Sequence, residues 1–206
     1  MTEVHPIEAE SYRILRSRID LSALPPLTRA VTERIIHATA DFDYVTDLVC
    51  DEAALAAGVE ALRREAPVIA DVAMVASGIT GYQVICKIGD SLSARLARTA
   101  NITLSAAAVR LAHGEAGPGA IWLVGCAPTA LAEIMSRRVE PALVVGVPVG
   151  FVGAAAAKDE LRASGLPSLS NVSEKGGSAV AVAAFNALLR VARDHPEAHD
   201  TPDDGS

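Results

Sequence analysis

The sequence predicts an α/β protein: a three-layer α/β/α sandwich around a flavodoxin-like parallel sheet, with a helical segment at the N-terminus. The length of 206 residues fits a single domain. Half of the residues are hydrophobic but only 3% are aromatic, so the core must consist of Ala, Val, Leu and Ile, as where helices pack closely on a sheet. Short apolar runs alternate with amphipathic helical patterns, which indicates parallel strands joined by crossover helices.

Each element is predicted from its own pattern. The N-terminal third is mostly helical, at residues 8–18, 27–39 and 51–64. Strands are predicted where β-branched runs are bounded by Gly, Pro or charge, at 67–73, 82–88, 120–125, 141–149 and 167–172. Further helices are predicted at 90–99, 103–113, 128–138, 154–164 and 177–193. We expect residues 1–193 to form the domain and the polar tail 194–206 to be disordered.

Composition and charge exclude several classes of function. The net charge is −7, with acidic and basic residues mixed, which argues against nucleic acid or a membrane surface as a partner. The first residues lack a signal-peptide pattern, and no apolar run reaches the roughly 18 residues that cross a bilayer. Cys50, Cys86 and Cys126 show no metal or redox spacing and are predicted to be free thiols in a reducing compartment. We therefore expect a cytoplasmic protein.

Three predicted strand-to-helix junctions are rich in small residues: "VGCAPTAL", "VGVPVGFVGAAAAK" and "SEKGGSAV". In such sheets, ligands bind beyond the carboxyl ends of the strands. Pro128 suits a first helical turn, and Ser178 is a candidate helix cap. N–H groups at helix starts bind anions, and glycines let a ligand approach the backbone, although the same glycines could serve only to form tight turns. No nucleotide-binding glycine motif matches, so a P-loop is excluded.

The stretch "RIIHATADFDY" contains a histidine at the edge of a helical pattern. The apolar stripe of this helix consists of Leu27, Val31, Ile35 and Ala38. Arg34 and His37 lie together on an adjacent flank. His37 could be a hydrogen-bonded structural residue, or it could exchange a proton near neutral pH while Arg34 binds a carboxylate. Neither a Ser-His-Asp elbow nor a metal-binding motif is present, so the sequence gives little support to a hydrolase or a metal site.

Several stretches together resemble the precorrin-8X methylmutase family of cobalamin biosynthesis, in the order that the family has them. They are "RIIHATADFDY", "APVIADVAMVASGIT", "APTAL", "PALVVGVPVGFVGA" and "KGGSAVAVAAFNALL". The resemblance implies a flavodoxin-like homodimer with its active site near the subunit interface. It also implies a corrinoid tetrapyrrole substrate, in which a methyl group moves between neighbouring carbons of ring C by a [1,5]-sigmatropic shift. A histidine assists by protonating or hydrogen-bonding a ring nitrogen, and no separate cofactor or metal is implied.

The resemblance assigns roles to individual positions. The matching catalytic histidine is His37, and the matching substrate contacts one turn earlier and in the first helix are Arg34 and Ser11. The remaining implied substrate contacts are Thr80, Thr129, Gly150, Phe151, Lys158, Gly176, Gly177 and Ser178. A corrinoid carries many carboxylates, so cationic groups and helix starts near His37 would suit it.

The chain departs from the family pattern at four positions. Leu104 stands in "TLSAAA" where the family usually has a substrate-binding arginine, and Cys126, Ala156 and Ala157 replace other polar residues. Losing an arginine–carboxylate contact costs about 1.5–3 kcal/mol. Two alternatives to a methylmutase follow: a paralogue acting on another ligand, and a corrinoid-binding carrier.

Overall fold

The structure is a computed structural model that describes residues 5–137 and 139–194. Its elements in chain order are α1 (Pro6–Arg18), α2 (Pro26–Thr39), α3 (Tyr44–Asp47), β1 (Leu48–Cys50), α4 (Glu52–Arg63), β2 (Val68–Ala70), α5 (Ala73–Ser77), β3 (Val84–Ile85), α6 (Ser91–Ala100), α7 (Leu104–Ala116), β4 (Ile121–Val124), α8 (Pro128–Ser136), β5 (Leu143–Gly146), α9 (Ala154–Ala163), β6 (Ser168–Asn171) and α10 (Ser178–Asp194). All five predicted strands and all eight predicted helices are present, and the strands are shorter than predicted.

The six strands form one sheet in the order β1-β6-β5-β4-β2-β3. Strands β2 to β6 pair in parallel. Counted along the chain from β2, their spatial order is 2-1-3-4-5, which is the flavodoxin-like order. The predicted fold class is confirmed. In this order the chain reverses direction across the sheet between β2 and β4, where a crevice opens at the carboxyl ends of the strands.

The expectation of a purely parallel sheet is wrong at one edge. Strand β1 pairs with β6 in antiparallel register, with Leu48 opposite Asn171 and Val49 opposite Ser170. No sequence pattern predicts β1, because three residues between two helices are too few to show a period of two. Helices α3 and α5 were also missed, since each is about one turn long and carries no helical stripe.

Alternate residues of the strands face two separate helical layers, which makes the three-layer sandwich. Ile121 and Leu123 of β4 face a core formed with α1, α2, α4, α5 and α10. Trp122 and Val124 of the same strand face a second core formed with α7, α8 and α9. Helix α6 packs on α7 at the margin of this second layer.

Helix α2 positions the residues that the sequence singled out. It buries Val31, Ile35 and Ile36 and packs along α10. Arg34 and His37 lie half-buried on the flank of that stripe, as predicted. Helix α2 ends at Thr39, and the left-handed φ of 55° at the next residue, Ala40, turns the chain away.

Two expectations concern the chain termini. The tail predicted at 194–206 lies outside the described residues except for Asp194, the last residue of α10, and so do residues 1–4 of the segment assessed for a signal peptide. Within residues 5–137 and 139–194, no helix is long and apolar enough to cross a membrane.

Candidate active site

His37 is held by two neighbouring residues of α1. The Oγ atom of Ser11 lies 2.7 Å from Nδ1 of His37. The ring of Tyr12 stacks on the imidazole, with centroids 4.9 Å apart and an angle of 11° between the ring planes. In the part of the chain that the structure describes, Nε2 has no hydrogen-bond partner, so the free nitrogen of the ring is Nε2. A half-buried imidazole with one nitrogen fixed and the other free can exchange a proton with a ligand.

Arg34 lies one turn before His37 and forms an ion pair with a carboxylate of the protein itself. Its Nη1 atom is 3.0 Å from Oε1 of Glu8, and Nη1 of Arg190 is 3.4 Å from the same oxygen. Glu8 thereby joins α1 to both α2 and α10. The Arg34 side chain is 31% exposed, which leaves guanidinium N–H groups accessible from one side.

A groove of about 330 Å³ runs from Arg34 towards the start of α10. Its floor is apolar, with Ala38, Met74 and Val182, and Arg34 and Ser178 both line it. Ser178 was predicted to be the helix cap, but it is the first residue within α10, one position inside the helix. The first N–H groups of a helix have no acceptor within it, so this end of the groove favours an anion.

The two glycine-rich loops after β5 and β6 are joined by backbone hydrogen bonds. The N–H of Gly150 donates to the carbonyl of Glu174 over 3.0 Å, and the N–H of Gly177 donates to the carbonyl of Val147 over 2.9 Å. Gly176 has a φ of 145°, and a Cβ built there would lie 2.2 Å from the carbonyl oxygen of Val147. Glycine at position 176 is therefore required by backbone packing alone. At Gly177 a Cβ would meet only ordinary contacts, but its φ of 118° is strained for other residues.

Lys158 lies beneath these loops and is fully buried. Its ammonium donates to Oδ1 of Asn171 over 2.9 Å, to the carbonyl of Lys175 over 2.7 Å and to the carbonyl of Ser173. Burial lowers the pKa of Lys158 to about 8, against the opposing charge of Asp47. All three ammonium protons have acceptors inside the protein, so this geometry gives Lys158 the role of holding the loop, not of reaching an exposed ligand.

The crevice between β2 and β4 is occupied by a carboxylate of the protein itself. Asp71 follows β2 and is buried. Its Oδ2 accepts from the N–H groups of Cys126 and Ala127 at 2.8 and 3.0 Å, and its Oδ1 accepts from Gly125 at 3.2 Å. Burial raises the pKa of the Asp71 carboxyl, and these N–H groups oppose that shift. The donors that "VGCAPTAL" was expected to offer an anionic ligand are thus already used.

The other predicted contacts lie further along the carboxyl edge. Thr129, exposed at the start of α8, bonds through its hydroxyl to Thr103, 2.9 Å away, which places Leu104 nearby. Thr80 is exposed and follows Gly78, a residue of the groove wall. Phe151 is 97% exposed at the tip of the loop after β5.

The structure therefore brings Ser11, Arg34, His37 and Ser178 to one side, where α1, α2 and α10 meet, and leaves Thr129 on a second side. Sequence reasoning missed Glu8, Tyr12 and Asp71. A charged residue inside the apolar run "PVIADVA" was a usable signal for Asp71, and Tyr12 adjoins Ser11 in "AESYRIL".

Together, the flavodoxin-like sheet and the histidine beside an arginine outside its crevice define an α/β protein with a candidate site for acid–base chemistry. The family model described as precorrin-8X methylmutase matches residues 6–191. The cobalt-precorrin-8 methylmutase of Salmonella typhimurium is 40% identical over 195 residues, which cover 89% of this chain and 93% of the relative. The precorrin-8X methylmutase of Pseudomonas aeruginosa is 37% identical, over 88% of this chain and 93% of the relative. The crystal structure of the precorrin-8X methyl mutase from Thermus thermophilus matches with a TM-score of 0.83 at 36% identity, over 91% of this chain and 96% of that one.

The chain belongs to the precorrin-8X methylmutase family. The resemblance seen in the sequence is confirmed, and with it the class of enzyme, an isomerase of cobalamin biosynthesis. The relatives do not favour the two alternatives, a repurposed paralogue and a corrinoid carrier.

Proposed function

We propose that this protein catalyses the methyl shift within ring C of a precorrin-8 corrinoid, with His37 as the proton donor. The shift moves a methyl group with its bonding electrons from one ring carbon to its neighbour, so no atom is gained or lost. The proton that His37 lends to a ring nitrogen returns to it afterwards. General acid catalysis by a positioned imidazole contributes about 10²–10⁴-fold in rate.

The observation that carries this proposal is the hydrogen bond between Ser11 and Nδ1 of His37. It anchors the ring at Nδ1 and leaves Nε2 available to a ligand. A second support is Arg34, because its accessible N–H groups suit a bidentate contact with one carboxylate arm of the corrinoid. The first N–H groups of α10, which have no acceptor within the helix, would receive another arm.

The macrocycle itself needs an apolar surface. Phe151, Val152 and Val149 are 97%, 91% and 46% exposed at the carboxyl edge of the sheet. Adjacent large apolar side chains at this level of exposure mark a surface that another molecule covers. We propose that the corrinoid and a second subunit share this surface, in a cytoplasmic homodimer with its site near the interface. A dimeric mass in solution would support this arrangement, and a monomeric mass would exclude it.

Replacing His37 with Ala tests the function directly. We expect turnover to fall by about 10²-fold or more, with the fold and product binding retained, because Nε2 contacts the ligand only to move a proton. The measurement is the appearance of the corrin absorption spectrum from precorrin-8X, with cobalt-precorrin-8 in parallel because relatives carry both names.

The matched control is His113→Ala, since His113 packs near Trp122 on the other side of the sheet. This control should turn over at the wild-type rate. Wild-type turnover by the His37→Ala protein would exclude His37 as the acid. Unfolding of that variant would instead assign His37 a structural role.

A further inference from the structure

Ser11 fixes one atom of the His37 ring, but one atom does not fix a plane. The terminal torsion of a histidine side chain is broad, so a ring tethered only at Nδ1 can tilt about that hydrogen bond. Tilting would swing Nε2 away from a bound macrocycle. Something else must set the plane of the imidazole if a proton is to be placed on one particular nitrogen of the substrate.

Tyr12 provides that plane. Its ring is almost parallel to the imidazole, at 11°, with the centroids 4.9 Å apart. Ser11 and Tyr12 are consecutive residues of α1, so one turn of a single helix supplies both the point contact and the face contact. The π face of Tyr12 also favours a cationic partner, which suits an imidazole that carries its proton to the substrate.

Tyr12 also has a cationic neighbour on its own helix. The guanidinium carbon of Arg16, one turn later on α1, lies 5.5 Å from the centroid of the Tyr12 ring. Arg16 makes two hydrogen bonds to the carboxylate of Glu33, at 2.9 and 2.8 Å. Glu33 lies on α2, one turn before His37. Two side-chain contacts therefore join α1 to α2 one turn apart: Tyr12 with His37, and Arg16 with Glu33.

We propose that Tyr12 is a positioning residue for the methyl shift: its ring sets the plane of the His37 imidazole and so the direction of Nε2. This inference rests on the proposed role of His37 as proton donor. Tyr12 needs no contact with the substrate for this role, which requires its aromatic ring but not its hydroxyl.

The test compares Tyr12→Leu with Tyr12→Phe. A misdirected catalytic group costs about 100-fold in rate, so we expect kcat to fall by up to that factor in Tyr12→Leu. The dissociation constant of hydrogenobyrinic acid, the metal-free product, should change by less than about 3-fold, because Arg34 and the start of α10 are untouched. Tyr12→Phe should restore kcat to near the wild-type value.

Proton NMR of the His37 ring provides a readout that is independent of turnover. A stacked aromatic ring shifts the imidazole proton resonances, which are assigned by their loss in His37→Ala. The shift should persist in Tyr12→Phe and disappear in Tyr12→Leu. Unchanged kcat in Tyr12→Leu would overturn the proposal, as would equal losses of kcat and of product affinity that Tyr12→Phe does not restore. If wild-type protein converts neither precorrin-8X nor cobalt-precorrin-8, the proposed function fails, while the NMR comparison still decides whether Tyr12 fixes the ring.

Discussion

The protein has two places where a ligand could meet the backbone or polar groups, and they differ in how their own polar groups are satisfied. At the crevice between β2 and β4, the N–H groups of Gly125, Cys126 and Ala127 all donate to the buried carboxylate of Asp71. At the junction of α1, α2 and α10, His37 keeps Nε2 free and Arg34 is partly exposed. The first place is closed by the chain itself, and the second is open.

This difference separates groups that stabilise the fold from groups that can act on a ligand. Flavodoxin-like sheets commonly bind ligands at the crevice where the strand order reverses. Here an internal anion fills that position, so the same donors that attract ligands in other sheets join β2 to the start of α8. The candidate site lies to one side, on helices. Substitutions in the closed region should therefore affect stability, and substitutions in the open region should affect catalysis and affinity.

The largest effect on stability is expected at Gly176, in the loop that closes over β5 and β6. In Gly176→Ala the new Cβ would lie 2.2 Å from the backbone oxygen of Val147, and the φ of 145° would be strained as well. Overpacking and this strain together cost about 3–5 kcal/mol of the free energy of unfolding. Thermal and urea unfolding measure the loss.

Gly150→Ala is the matched control. Gly150 has a similarly positive φ of 132°, but nothing lies within 4 Å of a Cβ built there. The free energy of unfolding of Gly150→Ala should fall only by the cost of the backbone strain, about 1–3 kcal/mol. Equal losses in the two variants would show that the contact with Val147 yields freely, and that this loop is less closed than the hydrogen bonds suggest.

A smaller loss is expected on removing one acceptor at the crevice. In Asp71→Asn the shape is kept, but one carboxylate oxygen becomes an NH₂ group that must face a backbone N–H. Leaving such a buried group without a partner costs about 1–3 kcal/mol. Turnover per folded molecule should be retained if His37 lies outside this region.

Asp90→Asn is the control, because the Asp90 carboxylate caps α6 through a single accepted bond from Leu92 that an amide oxygen can also accept. It should change the free energy of unfolding by less than about 0.5 kcal/mol. If Asp71→Asn is as stable as wild type, Asp71 does not close the crevice and a ligand could enter there.

The same contrast explains what the sequence could predict. The layer architecture, the positions of the five predicted strands and the flank position of His37 follow from apolar periodicity, which local residues determine. Contacts between distant parts of the chain do not follow from this periodicity. The Asp71 carboxylate accepts hydrogen bonds from residues some 50 positions later, and Asp47 accepts one from Ser173 at a separation of 126 residues. No local sequence pattern indicates such pairs, so the strand-to-helix junctions rich in small residues were expected to be open to a ligand.

Lys158 shows the same limit on the side of the site. The family resemblance implied that Lys158 contacts the substrate, and its burial beneath Ser173 and Lys175 becomes visible only when α9 is placed against β6. The proximity of Arg34 and His37 was predictable because they lie one turn apart on one helix, whereas Ser11 was implied only by the family resemblance. The stacking of Tyr12 on His37 was not predictable, because it depends on the rotation of α1 about its axis.

The smallest effect is expected at position 104, where the chain departs from the family pattern. Leu104 belongs neither to the closed crevice nor to the open junction of α1, α2 and α10, so the contrast between them does not assign its side chain a role. Leu104 is the first residue of α7 and is 40% exposed beside Thr103 and Thr129. In Leu104→Arg, a guanidinium could reach a carboxylate arm of a corrinoid that extends from the open region across the carboxyl edge. A charged hydrogen bond contributes about 1.5–3 kcal/mol, and ordering a long side chain removes about half of that, so we expect product affinity to rise by about 1 kcal/mol. Since position 104 is already exposed, the melting temperature should stay unchanged.

The dissociation constant of hydrogenobyrinic acid and the melting temperature are measured for both forms, with Leu92→Arg, on the exposed start of α6, as the control for added charge. Tighter binding in Leu104→Arg alone would extend the substrate surface as far as Thr129. Unchanged affinity would confine it to the side of α1, α2 and α10, and a lower melting temperature would show that Leu104 packs in an apolar contact that a charge disrupts.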